Sequence, residues 1–288
     1  MTAALAPTRP EPVAGRATFV TLAARELRRF LVNPVFLLAV AFVAWATATT
    51  PKSITEIDTA NYYVAVFLGG FAMMATFWLT RSTRYSEPVL GVTPTTLPVR
   101  TAALCTVAVV PMLYSALILL WFLRFHPIGD PVYGAFSSPA QAAVLVSQFV
   151  VPSLGGPLLG VALGRWARFP GAAFVAFLLL FGWGNLVTVP SLSHPDSTAA
   201  TALRMFAPFS FFSFAGNGPD VTTWRGSPWF FIGWQLALCA IAVLVALLRG
   251  AEGRVRSRVI RALAITLVLA VILLVLAVSG GFAHAVRS

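Results

Sequence analysis

Seven stretches of the chain are apolar for most of their length, and polar segments punctuated by proline separate them. They fall at about residues 34–50, 60–80, 99–124, 140–164, 171–190, 229–248 and 260–281. A helix needs roughly 20 mostly apolar residues to cross the hydrocarbon core of a bilayer. The pattern therefore predicts an all-α fold, a polytopic transmembrane helix bundle of six to seven spans, the first run being short. Ahead of it, residues 17–33 change periodicity. Phe19, Leu22, Ala23, Leu27, Phe30 and Leu31 recur at helical spacing, while Thr21, Arg25, Arg28 and Arg29 fall on the other side. Such a helix favours the headgroup plane, its arginines toward anionic lipid. Asn33-Pro34 predicts a bend before the first span, because the residue before proline is pushed out of the α region.

Residues 1–16 hold Pro7, Pro10 and Pro12 and no apolar run, and are expected to be a disordered tail without a signal-peptide core. At the other extreme, 191–228 is the longest segment between runs. Its centre, TALRMFAPFSFFSFAG, is aromatic through Phe206, Phe209, Phe211, Phe212 and Phe214, too short to span and broken by Pro208. Two readings stay open for it: a re-entrant element, or an aromatic loop resting on the headgroups.

Charge sets the expected orientation. Alternating the runs places fifteen of the twenty basic residues on the side of the amino terminus and five on the other. The positive-inside rule then makes the amino terminus cytoplasmic and, for seven spans, the carboxyl terminus external. Composition agrees with the membrane reading. Hydrophobic residues make up 58% of the chain and charged residues 10%, against roughly 25% charged in soluble domains, and mean hydropathy is +0.85. A net charge of +11 raises the question of a nucleic-acid surface, but the arginines flank apolar runs and form no single stripe, so no nucleic-acid partner is expected and membrane lipids are. Cys105 and Cys239 lie inside apolar runs, without CxxC spacing, and read as small hydrophobes.

What the spans lack narrows the chemistry. Their centres carry no Asp, Glu, Lys, Arg or His, the residues of a proton relay. His126, His194 and His284 fall outside the runs, no HExxH or Asp-rich cluster occurs, and no GxxxxGK[ST] loop exists to hold ATP. No metal, cofactor or catalytic residue is therefore expected. Milder features remain. Gly156, Gly160 and Gly164 repeat at four-residue spacing between and beyond Pro152 and Pro157, a face that lets another helix approach closely. Gln141, Gln148, Asn185 and Gln235 are expected to hydrogen-bond across helices, and Trp78, Trp224 and Trp229 fit an aromatic belt.

Two motifs stand out in the first half. The amphipathic helix carries ARELRRFLVNP, and the polar connection 81–100 reads RSTRYSEPVLGVTPTTLPVR. Together they resemble the ABC-2 type transporter permeases, the membrane subunits of ATP-binding-cassette exporters. Arg25, Glu26 and Arg29 with Pro34 match that family's amino-terminal elbow helix. Arg84, Glu87, Leu90, Pro94, Thr95 and Arg100 match the cytoplasmic loop after its second span. Pro88 departs from the family pattern, and the seventh run exceeds its usual six spans. The resemblance implies a transport subunit without enzymatic activity, in a bacterial plasma membrane. It would work with a separate ABC ATPase subunit that grips loop 81–100, and with a second permease chain, identical or not, completing the path. Two other classes stay open: an integral membrane enzyme acting on lipid or isoprenoid substrates around His194, Asp196 and Asp220, and a non-transporting membrane anchor.

Overall fold

The computed structural model describes residues 16–49, 63–85, 96–125, 128, 137–193, 197–208 and 226–280, with the backbone alone described at 16, 17, 84, 85 and 188–193. The described residues form nine helices and no strand.

Helix α1 (Arg16–Leu31) and helix α2 (Pro34–Thr49) meet at a bend of 60°. Asn33 and Pro34 make that bend. The Asn33 side-chain oxygen accepts from the backbone N–H of Val35 at 3.0 Å and of Phe36 at 3.4 Å, capping α2, and Pro34 opens it where no N–H is needed. Phe30 and Phe36, their ring centres 4.2 Å apart, fill the inside of the angle.

Helix α3 starts as a π-helical turn, Val64–Gly69, and continues as Gly70–Tyr85. Helix α4 runs from Leu97 to Leu123 with a 3₁₀ turn at Thr106–Ala108. Pro111 explains that turn: it offers no N–H to the carbonyl of Val107, and the chain tightens just before it. Helix α5 (Ser138–Trp166) carries Pro152 and Pro157 in its interior. Helices α6 (Ala172–Ser193), α7 (Thr198–Met205), α8 (Pro228–Leu248) and α9 (Gly253–Ser279) complete the series.

The core lies along α5, which packs on α3 on one side and α8 on the other, while α9 lies on α8. Phe77, Phe149, Phe231, Leu68 and Met73 are fully buried between them. In the most apolar 18 residues of α3 and of α5, 72% are buried by the rest of the chain; in those of α9 the figure is 11%. Helix α9 is therefore peripheral, its Ile265, Val268, Val271 and Val275 all exposed.

Among the described residues, five helices are long and apolar enough to cross a membrane: α3, α4, α5, α8 and α9. The bent pair α1–α2 makes a sixth if it counts as one span. The structure is thus a multi-pass helical bundle. The shortfall against seven apolar runs lies in two places. Helix α2 has 16 residues, and α6 contributes the shorter apolar stretch Ala172–Val187.

Candidate functional site

One end of the bundle gathers the arginines that the sequence scatters. Helix α3 arrives there with Arg81, whose guanidinium donates to the backbone oxygen of Arg168 at 2.8 Å, just past the end of α5. Trp166, the last residue of α5, donates its indole N–H to the backbone oxygen of Val245 in α8 at 2.7 Å. Arg249, following α8, lies 5.6 Å from the Trp166 ring. Leu97, the first residue of α4, touches Gly250, so closely that a Cβ there would come within 2.8 Å of it. Arg254, Arg256, Arg258 and Arg261 open α9 beside them and are exposed. Among the described residues the only acids are Glu26 and Glu252, both at this end, so its potential is strongly positive.

Helix α1 is pinned to the same end. Arg29 bridges Glu26 at 3.0 Å within the helix and donates to the Ser82 hydroxyl of α3 at 3.1 Å. Arg25 is exposed and Glu26 is 8% exposed. Helix α1 also packs along the start of α4, so it touches both helices that the polar connection joins. Of the connection's own candidates, Arg84 lies in the last turn of α3 and Arg100 is half-buried in the first turns of α4. Glu87, Leu90, Pro94 and Thr95 lie outside the described residues, as do His194, Asp196 and Asp220 of the enzyme reading. Among the described residues no group of three His, Cys, Asp or Glu could hold a metal.

The glycine ladder faces α3. A Cβ on Gly156 would collide with the Gly69 carbonyl, one on Gly160 with the Met73 carbonyl and the Thr76 hydroxyl, and one on Gly164 would lie 2.6 Å from the Thr80 Cβ. This proximity lets Thr76 donate across the interface to the backbone oxygen of Pro157 at 2.9 Å. The two helices thus meet almost backbone to backbone.

No family model matches the chain, and no curated protein or solved structure does. The geometry alone bears on function.

The opposite end holds residues whose importance the sequence did not disclose. Ser197 caps α7, its hydroxyl accepting from the Ala200 N–H at 3.4 Å. Met205 and Ala207 are buried, and Phe206 lies between the rings of Trp183 and Trp234. Gln235 of α8 donates to the backbone oxygen of Ser147 in α5 at 3.1 Å and to that of Pro208 at 2.9 Å. At 1.5 Å per residue, Gln235 stands about 10 Å inside the start of α8 and Ser147 about 13 Å inside that of α5. Pro208 therefore lies some two turns within the bundle. Residues 209–225, the remainder of that aromatic segment, lie outside the described residues.

Arg204 travels in with α7 and is 1% exposed, as is Arg165 near the end of α5. Sequence reasoning placed both among anchoring charges at aqueous edges. The signal for Arg204 was its isolation inside an aromatic, apolar stretch; Arg165 gave none. Polar groups within the spans divide as well. Gln235 binds across helices, Tyr114 of α4 donates to the backbone oxygen of Val40 in α2 at 3.3 Å, but Asn185 donates to Phe181 of its own helix at 2.8 Å. Cys105 and Cys239 are free thiols.

Proposed function

We propose that the chain is the permease subunit of an ABC-2 type exporter, moving a substrate across a bacterial plasma membrane with ATP hydrolysed by a partner ATPase. The observation that carries this reading is the junction of α1 with the helices on either side of the polar connection. A bent amphipathic helix, tied by Arg29 to Ser82 and packed on the start of α4, braces the loop that a cytoplasmic partner would push. A rigid lever of this kind transmits force into packed helices as rigid-body motion. The glycine contact extends the path, since α3 would carry that motion into α5 with little slack.

The same reading makes the arginine end cytoplasmic by the positive-inside rule. Helix α6, at 22 residues, is about 33 Å long at 1.5 Å per residue and long enough to cross. With α2 crossing as a short span, the bundle has seven spans and the amino terminus is cytoplasmic. Glu87, Arg84 and Arg100 are assigned to the ATPase contact, α1 acts as the elbow helix, and a second permease chain completes the path.

The test is reconstitution. The chain is co-expressed with candidate ATPases that carry a P-loop, a stable complex is isolated, and ATP-dependent transport is compared for wild type, Glu87→Ala and Arg84→Ala at equal expression. Loss of transport in both variants is expected. Normal transport by both removes the coupling assignment, and failure of any ATPase to co-purify removes the permease reading.

A further inference from the structure

Two apolar cavities adjoin between α5, α6, α8 and α9. The narrower, about 320 Å³, is lined by Pro152, Gly155, Leu159, Gln235, Cys239 and Ala242 among others. The wider, about 640 Å³, is lined by Leu179, Trp183, Trp234, Leu267 and Val271 among others. Leu180, Pro208, Leu238 and Ile241 line both, so the two share a wall. Each volume falls in the range of small-molecule sites, roughly 300–1,000 Å³. The wider cavity opens sideways: Leu179 is 68% and Val271 62% exposed, on the outer surface of the bundle. What lies beyond that opening in a membrane is lipid, so a guest arrives through hydrocarbon.

Two polar atoms interrupt these walls. Gln235 is 3% exposed. Its amide nitrogen is held by two carbonyls, those of Ser147 and Pro208. Carbonyls only accept, so the orientation of the amide is fixed and its oxygen is the atom turned away from them. That oxygen is buried and has no hydrogen-bond partner. On the wider side, the Trp183 indole N–H is likewise buried without one. Bulk lipid tails satisfy neither atom, whereas native structures rarely leave such groups unmet.

We propose that the cleft binds a long-chain amphiphile entering sideways from the bilayer, with its chain in the wider cavity and a hydroxyl or amide donor directed to the Gln235 carbonyl oxygen. Binding of this kind stands independently of the permease reading. Joined to it, the amphiphile gives the class of molecule exported.

The full chain in phosphatidylcholine nanodiscs is irradiated with hexadecanol carrying a diazirine in its chain, and the labelled residues are mapped by mass spectrometry. Expected is saturable labelling at Leu180, Leu238 and Ile241, displaced by excess hexadecanol and not by hexadecane. Gln235→Leu should weaken the hexadecanol competition by up to about tenfold, the worth of one hydrogen bond. Ala242→Leu, which fills the narrower cavity and leaves Gln235 in place, should weaken it too. Labelling that does not saturate, or that falls equally on the exposed Leu113 and Leu117 of α4, means occupancy by bulk lipid and overturns the proposal. Displacement in the wild type decides the matter even if both variants fail to fold. Neither ATPase nor transport enters the readout, so loss of the permease reading would leave this result intact.

Discussion

Replacing Gly156 by alanine tests whether α3 and α5 touch through their backbones. The added methyl would lie 2.7 Å from the Gly69 carbonyl carbon and 3.1 Å from its Cα, where ordinary contact starts at 3.4 Å. The atoms in the way are backbone, inside a π-helical turn, and have no rotamer to change. The carbonyl oxygen is nearer still, so the helices would have to part by about 1 Å, and a gap of that order forfeits about half of each neighbouring dispersion contact. The bond from the Thr76 hydroxyl to Pro157, now 2.9 Å, would stretch to about 3.9 Å and cease to be one. Overpacking of this kind costs about 1–3 kcal/mol, offset by up to ~1 kcal/mol from the better helix propensity of alanine. The control is Gly182→Ala in α6, where nothing lies within 4 Å of the new atom, and which should be neutral or stabilising by up to ~1 kcal/mol. Both variants are unfolded by SDS titration in mixed micelles and followed by far-UV circular dichroism. The two substitutions should move the midpoint in opposite directions, or at least clearly apart. Equal midpoints for Gly156→Ala and Gly182→Ala would refute the close approach.

Gln235→Leu removes two bonds that hold Pro208 inside the bundle, at about 1 kcal/mol each; amide exchange at Phe206 and Ala207 should rise, and unchanged protection there would contradict the anchoring role. Asn33→Ala deletes the cap of α2, worth about 0.5–2 kcal/mol. Spin labels on α1 and α2 should then report a broader distribution around the 60° bend, and an unaltered distribution would leave Pro34 alone responsible. Trp166→Phe loses the 2.7 Å bond to Val245 and should lower stability by about 1 kcal/mol. A cost for Trp166→Phe indistinguishable from zero would show that the indole N–H finds an equal partner elsewhere.

The membrane-spanning character was legible because a run of about 20 apolar residues is a one-dimensional signal. The bend at Asn33-Pro34 was legible for a similar reason, since proline acts on its immediate neighbour. Gly156, Gly160 and Gly164 announced a close contact by their spacing, yet nothing in that spacing says which helix comes near. Only the path of the chain brings Gly69, Met73 and Thr80 opposite them. Buried charge was the least legible. Arg165 has the sequence context of an edge residue and Arg204 stands alone in an aromatic, apolar stretch, yet the burial of both is decided by where the end of α5 and α7 are drawn in by the rest of the bundle. The partners of Gln235 show the same limit, being two carbonyls from segments 27 and 88 residues away. The polar connection between α3 and α4 was readable only by resemblance, because a proline-bounded loop with a few arginines has no physical pattern of its own.

The peripheral position of α9 bears on how the protein is made. The ribosome delivers α3 and α5 first, and their glycine contact can form while α8 is still in the tunnel. Helix α8 then adds to a pair already seated, and α9 adds to α8 last, meeting its neighbour with only a short turn between them. Synthesis order and the order of packing thus run the same way. The intermediate lacking α9 would have a finished interior and an unfinished flank, the cleft standing open on the side where the last helix arrives.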